Sequence, residues 1–237
     1  MAKTDPGGSK TTSKTSKKKG AAPVEPPFGR LCLVTPPVFD PAVFAPVLDA
    51  ALASGAVTSL IILTDGLAPD TRLAAAERLV AIAQANGTAA LVTDSSLITR
   101  SGADGLHVSG GIADLRRSVA QLRPERIVGA GAIHTRHDAM LLAETECDYL
   151  FFGRFDGDDG PMIHDKTLDL AAWWSALFEI PAIVMGGTSL DCIPEAVAAR
   201  IEFIALRSAV WEHAEGPAAA VEAANSLILA SQPEAQP

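Results

Sequence analysis

The chain has 237 residues, of which 48% are hydrophobic and only 5% aromatic, and its net charge is −9. That length suits one α/β domain with a core of Val, Ile, Leu and Ala, and is short for two full domains. The charge is uneven: six lysines against Asp5 leave the first twenty residues at +5, while Lys166 and 12 arginines against 27 acids leave the rest at −14, a body that repels nucleic acid.

No apolar stretch is long enough to span a bilayer, and the basic N-terminal segment lacks the apolar block of a secretory signal, so the expectation is a cytoplasmic protein with no membrane partner. Cys32, Cys147 and Cys192 are odd in number, widely spaced and embedded in structured segments, which points to buried free thiols rather than a disulfide or metal site.

Residues 1–28 read as a disordered tail rich in Lys, Ser and Thr, 29–231 as one domain, and 232–237 as a short disordered C-terminus. From residue 31 apolar runs alternate with helical spacing. Strands are predicted at 31–35, 57–63, 89–92, 105–108, 127–132, 149–153, 181–185 and 201–206. Helical patterns fall at 41–53, 70–86, 113–122, 136–146, 168–177, 191–199 and 218–229, with a short segment at 95–101. Asp70 is placed as an N-cap and Gly87 as a stop. Eight strand-helix units with no glycine-rich dinucleotide fingerprint predict a parallel (β/α)8 TIM barrel over an open doubly wound sheet.

Catalytic groups of such barrels sit just after the strands. Here those positions include Asp65, Thr93, Asp94, His107, Ser109, His134, Arg154, Lys166, Thr188, Arg207 and Ser208. Gly186 and Gly187 end the seventh strand, and Arg207 and Ser208 end the eighth before a short helical turn. Glycines admit a phosphate to the backbone and free N–H groups hold it, so a small phosphorylated substrate is expected there. For His107 two readings stand: a ligand-facing imidazole or a hydrogen-bonded core one.

The stretches LCLVT (31–35), GAVTSLI (55–61), VTDSSLITRSGADGLHV (92–108), IVGAGAIHT (127–135), CDYLFFGRF (147–155), IPAIVMGGTS (180–189) and FIALRSAVW (203–211) resemble, in order, the thiamine phosphate synthase family and its TenI relatives. The resemblance implies Mg2+-dependent joining of a hydroxymethylpyrimidine diphosphate to a thiazole phosphate with release of diphosphate. It assigns the thiazole phosphate to Gly186, Gly187 and Ser208, the metal to Asp94, a diphosphate contact to Lys166, and pocket positions to Thr93, His107 and Arg154.

The chain departs from that pattern in several places. Where the family has a Gln-Leu-Arg-Glu-Lys type clamp after strand two, this sequence reads Ile61, Ile62, Leu63, Thr64 and Asp65. A second metal carboxylate is expected near Gly111, with Asp114 two positions late, and a serine near Gly131. The segment from Arg154 to Lys166 is longer than the family's and acidic. A diverged TenI-like barrel that binds a phosphomonoester without joining it to anything accounts for kept phosphate loops and a lost clamp together. A third reading, a non-enzymatic scaffold, rests only on the basic tail.

Overall fold

The structure, a computed structural model, describes residues 1–2 and 27–233. Most of the expected N-terminal tail (3–26) and residues 234–237 of the expected C-terminal one lie outside the described residues. Eight parallel strands close into a barrel in chain order: β1 Arg30–Val34, β2 Val57–Ile62, β3 Ala89–Val92, β4 Gly105–Val108, β5 Ile127–Ile133, β6 Tyr149–Phe152, β7 Ala182–Met185 and β8 Phe203–Leu206. The helices are α1 Pro41–Leu52, α2 Arg72–Ala85, α3 Ile98–Ser101, α4 Ile112–Leu122, α5 Arg136–Ala143, α6 Asp165–Ser175, α7 Ile193–Ala198, α8 Ser208–Trp211 and α9 Pro217–Ala230. The predicted (β/α)8 barrel is the observed fold.

Strand alternation makes two cores. One face of each strand packs on the helices, with Leu33, Leu60, Val92, Leu150 and Val184 all buried there. The other face fills the barrel interior with Cys32, Val34, Ile61, Leu91, Tyr149, Phe151, Ile183, Met185 and Ala205. Glycines on β5 make room for the two polar rings of this interior. A Cβ at Gly129 would lie 1.9 Å from the Tyr149 ring, and one at Gly131 would lie 2.5 Å from His107 Nε2. The serine expected near Gly131 is therefore excluded by the neighbouring imidazole, and the Ser109 hydroxyl lies 3.3 Å from the position such a Cβ would take.

Several local expectations change. α2 starts at Arg72 with Thr71 in the capping position, and Asp70 does not cap it. The preceding loop closes on itself instead: the Arg72 guanidinium donates to the carbonyls of Leu67 (3.1 Å) and Asp65 (2.9 Å). α6 begins at Asp165, three residues earlier than the periodicity suggests, which moves Lys166 from a loop into a helix's first turn. α5 stops at Ala143, and Glu146 beyond it takes a positive φ of 62°. All three cysteines are buried and free, as expected. At the foot of the barrel Phe28 and Gln232 exchange two hydrogen bonds of 3.0 Å, tying the ends of the domain together.

Candidate functional site

The polar groups at the C-terminal mouth fall into three zones. The first lies at the ends of β7 and β8, where a carboxylate from the β6–α6 segment occupies an anion seat. The Ser208 N–H donates to Asp158 Oδ2 at 3.0 Å, Arg207 Nε donates to the same oxygen at 3.1 Å, and the other Arg207 nitrogen pairs with Oδ1. The Asp158 side chain is wholly shielded and that of Arg207 is 15% exposed. A bidentate guanidinium plus one backbone donor is a strong receptor for a planar anion.

The glycine pair behaves differently from the expectation of open N–H groups. Gly186 donates to the Ala205 carbonyl at 2.8 Å, and Gly187 donates to Cys192 Sγ at 3.3 Å. Thr188 and Ser189 donate to the carbonyls of Gly160 and Pro161. A Cβ on Gly187 would stand 2.2 Å from the Pro161 oxygen, so in this conformation its bareness admits the protein's own loop.

The second zone is a cavity of about 390 Å³ beside the ends of β5 and β6. Arg154, Lys166, His134 and His164 line it, with Asp159 the acid among its walls. Such a gathering of basic side chains stands out in a body of strongly negative charge. Arg154 is partly committed to Asp156 by an exposed ion pair of 3.1 Å, which contributes little to stability. His134 is among the positions expected at the mouth from the sequence, whereas His164 is not. A signal for His134 lies in the backbone: Ala132 sits at φ 58° within a register shift between Ala130 and Ile133. A left-handed alanine is a sparsely populated conformation of the kind that collects at functional sites. The N–H groups of His134 and Thr135 both donate to the Asp138 carboxylate, and Thr135 Oγ1 accepts from the Asp138 N–H, a capping box at the start of α5. These bonds hold the Asp138 carboxyl below its ordinary range, the Thr135 hydroxyl contributing most.

The third zone follows β2 and β3. Asp94 is half-buried, and its Oδ1 accepts from the Ser96 N–H at 2.8 Å. The hydroxyls of Thr93 and of Thr64, each just past its strand, are buried without a hydrogen-bond partner among the described residues. Leu63 packs into the barrel interior and Asp65 is exposed, so no cationic clamp exists at these two positions. No group of three His, Cys, Asp or Glu able to hold a metal occurs among the described residues. Asp114 pairs with Arg117 at 3.1 Å instead of joining Asp94. The Asp94 carboxylate, with a single backbone donor, nevertheless fits Mg2+, which takes one or two carboxylates and completes its shell with water and phosphate oxygens.

His107 belongs to none of these zones as a ligand-facing base. It is 2% exposed, its Nδ1 shares a 2.9 Å hydrogen bond with the Tyr149 hydroxyl, and burial pushes its pKa down to about 3. Of the two readings left open by the sequence, the structure selects the core imidazole, neutral at physiological pH. Phe155 lies over it, with ring centroids 4.8 Å apart. Asp94, Lys166, and the Arg207–Ser208 seat thus stand at separate stations around the mouth, with no hydrogen bond or ion pair joining them among the described residues.

A closed parallel barrel whose polar groups gather at one mouth, with an anion seat at the last two strands, defines a (β/α)8 barrel of the kind built for small anionic ligands. Residues 31–210 match the family TMP-TENI, thiamine monophosphate synthase, and the chain belongs to that family. It is 36% identical over 202 residues to the thiamine-phosphate synthase of Rhodospirillum centenum, covering 84% of this chain and 97% of the relative. It is 33% identical over 211 residues to that of Hyphomonas neptunium, covering 85% and 95%. Among solved structures, a thiamine phosphate pyrophosphorylase from Pyrococcus furiosus superimposes with a TM-score of 0.70 at 22% identity, over 85% of this chain and 96% of that one. At that identity the likeness speaks for the fold. Among the described residues no helix is long and apolar enough to cross a membrane.

Proposed function

We propose that the protein is a thiamine-phosphate synthase: it joins a hydroxymethylpyrimidine diphosphate to a thiazole phosphate and releases diphosphate. The observation that carries this reading is the match over 97% of the Rhodospirillum centenum enzyme's length at 36% identity. In the reaction the bond between the pyrimidine methylene carbon and the diphosphate oxygen breaks, and a bond from that carbon to the thiazole nitrogen forms. Diphosphate departs with the electron pair of the broken bond.

In this reading the seat formed by Arg207 and the Ser208 N–H, beside Gly186 and Gly187, receives the thiazole phosphate. Lys166 and Arg154, with His134 and His164 on the same cavity wall, receive the diphosphate and offset its charge as it leaves. Asp94 would hold Mg2+, which when bound would neutralise charge on the leaving group; Thr93 precedes it at the end of β3 as a further pocket residue. The apolar interior of Val34, Ile61, Phe151 and Met185 excludes water from the carbon where positive charge develops, so that the thiazole nitrogen captures it. Small charged substrates fit a cytoplasmic place of work.

The test is turnover of both precursors with Mg2+, followed by product identification. Formation of thiamine phosphate that is lost in Asp94→Ala supports the reading. Binding of the thiazole phosphate without product would instead identify a TenI-like barrel that holds the phosphomonoester and joins it to nothing.

A further inference from the structure

We propose that the segment between β6 and α6 is a self-occupying lid, with Phe155 filling the barrel mouth and Asp158 filling the anion seat, so that a phosphorylated ligand binds by displacing both. The inference rests on the reading of Arg207 and Ser208 as the phosphate seat.

Two independent contacts place the segment in the site. The Asp158 carboxylate takes both the guanidinium of Arg207 and the N–H of Ser208, the donors that a phosphate would use. Three residues earlier, the Phe155 ring packs at 5.0 Å from Phe151 and 4.8 Å from His107, on top of the barrel interior. An aromatic ring and an anion carried three residues apart on one segment are the same pair of chemistries that a heteroaromatic phosphate presents. The chain thereby mimics its own ligand.

The grip is strong enough to hold the segment and weak enough to release it. Two backbone bonds, from Thr188 to Gly160 and from Ser189 to Pro161, fasten its far end. Arg154, Asp156 and Asp159 along it are exposed, and Gly157 and Gly160 give it pivots. A carboxylate brings one charge to the seat, whereas a phosphate monoester brings more charge and a third acceptor oxygen, so the ligand has the advantage once it arrives. The cost of opening appears as a lowered apparent affinity, reduced by the fraction of molecules with the lid raised.

The experiment is calorimetric titration of the full chain with inorganic phosphate. Asp158→Asn, which keeps the shape and removes the charge, is expected to bind phosphate about tenfold more tightly than wild type or better, and Arg207→Gln added to it to erase that gain. Phe155→Ala loosens the same segment without touching the seat and is expected to tighten phosphate binding severalfold. Equal affinities in wild type, Asp158→Asn and Phe155→Ala, all weakened by Arg207→Gln, would overturn the lid and leave the phosphate seat standing. No phosphate binding in any of the variants would overturn the seat itself, and the lid with it.

Discussion

At the ends of β7 and β8 the chain answers its own polar groups: the Ser208 N–H and the Arg207 guanidinium meet Asp158, and the N–H groups of Thr188 and Ser189 meet loop carbonyls. At the ends of β2 and β3 it does not: among the described residues the hydroxyls of Thr64 and Thr93 are buried without partners and Asp94 has one backbone donor. Buried polar groups are nearly always paired, and an orphan calls for an explanation. The contrast teaches that the two sides reach a ligand by different routes. One side must exchange an internal partner for an external one, whereas the other gains partners it never had.

The largest effect is expected on the unsatisfied side. Asp94→Ala removes the one carboxylate suited to Mg2+ there, and loss of metal stabilisation of a departing diphosphate amounts to several kcal/mol, about a thousandfold in turnover. Steady-state assays at saturating Mg2+ check this, with melting temperature expected to stay near that of wild type because Asp94 is half-buried and makes one hydrogen bond. Unchanged turnover would move the metal to another station of the mouth.

On the satisfied side the signature is reversed, with stability falling before activity is considered. Arg207→Gln leaves the fully shielded Asp158 carboxylate with the Ser208 N–H as its main remaining donor. Breaking one half of a buried pair costs about 3 kcal/mol, measurable as a lower midpoint in urea unfolding. Asp158→Asn together with Arg207→Gln is expected to recover part of that loss, since the uncompensated charge is then gone. A loss in Arg207→Gln no larger than that of an exposed arginine would mean that the seat is already open to water.

The sequence displays the barrel because each strand is short, apolar and followed by a helical stretch, and every predicted strand appears within two residues of its observed ends. The site was less legible. Gly186, Gly187, Arg207 and Ser208 stand out by their position after the last two strands, yet nothing in the spacing reveals that Asp158, forty-nine residues before Arg207, folds back onto it. An acidic loop looks the same in sequence whether its carboxylates face water or an arginine. Asp70 illustrates a smaller failure: its position predicts a cap, but Arg72 gathers the loop carbonyls and starts the helix two residues later. His134 and His164 were invisible as a pair because they converge through the turn after β5 and the start of α6, thirty residues apart.

Between the two sides lies His107, whose effect is intermediate and depends on pH. Its folded pKa, about 3, is below the ordinary value of 6.5 because burial disfavours the cation. The unfolded chain therefore takes up a proton that the native one refuses, and stability falls as pH drops from 6.5 toward 3. Between pH 6.5 and 5 this amounts to about 2 kcal/mol. Urea midpoints across that range in wild type and His107→Gln test it. The variant is expected to show a flatter profile, and parallel profiles would place the acid sensitivity elsewhere.

The smallest effect concerns how the basic cavity is framed. His134 reaches the cavity from the turn between β5 and α5, and that turn is fixed by the reciprocal bonds between Thr135 and Asp138. Thr135→Ala removes the hydroxyl that accepts from the Asp138 N–H and that does most to hold the Asp138 carboxyl ionised. Loss of such a cap costs about 1 kcal/mol, less than either loss at the mouth because the site is exposed and water replaces the missing partner. Since Asp138 still accepts from the N–H groups of His134 and Thr135, the turn keeps its path and His134 keeps its place. The expected outcome is a melting temperature lower by a few degrees, with KM for the diphosphate substrate raised no more than about twofold. A tenfold rise in KM with the same small loss of stability would show that the turn is a functional part of the cavity wall and that the placing of His134 matters to holding the diphosphate.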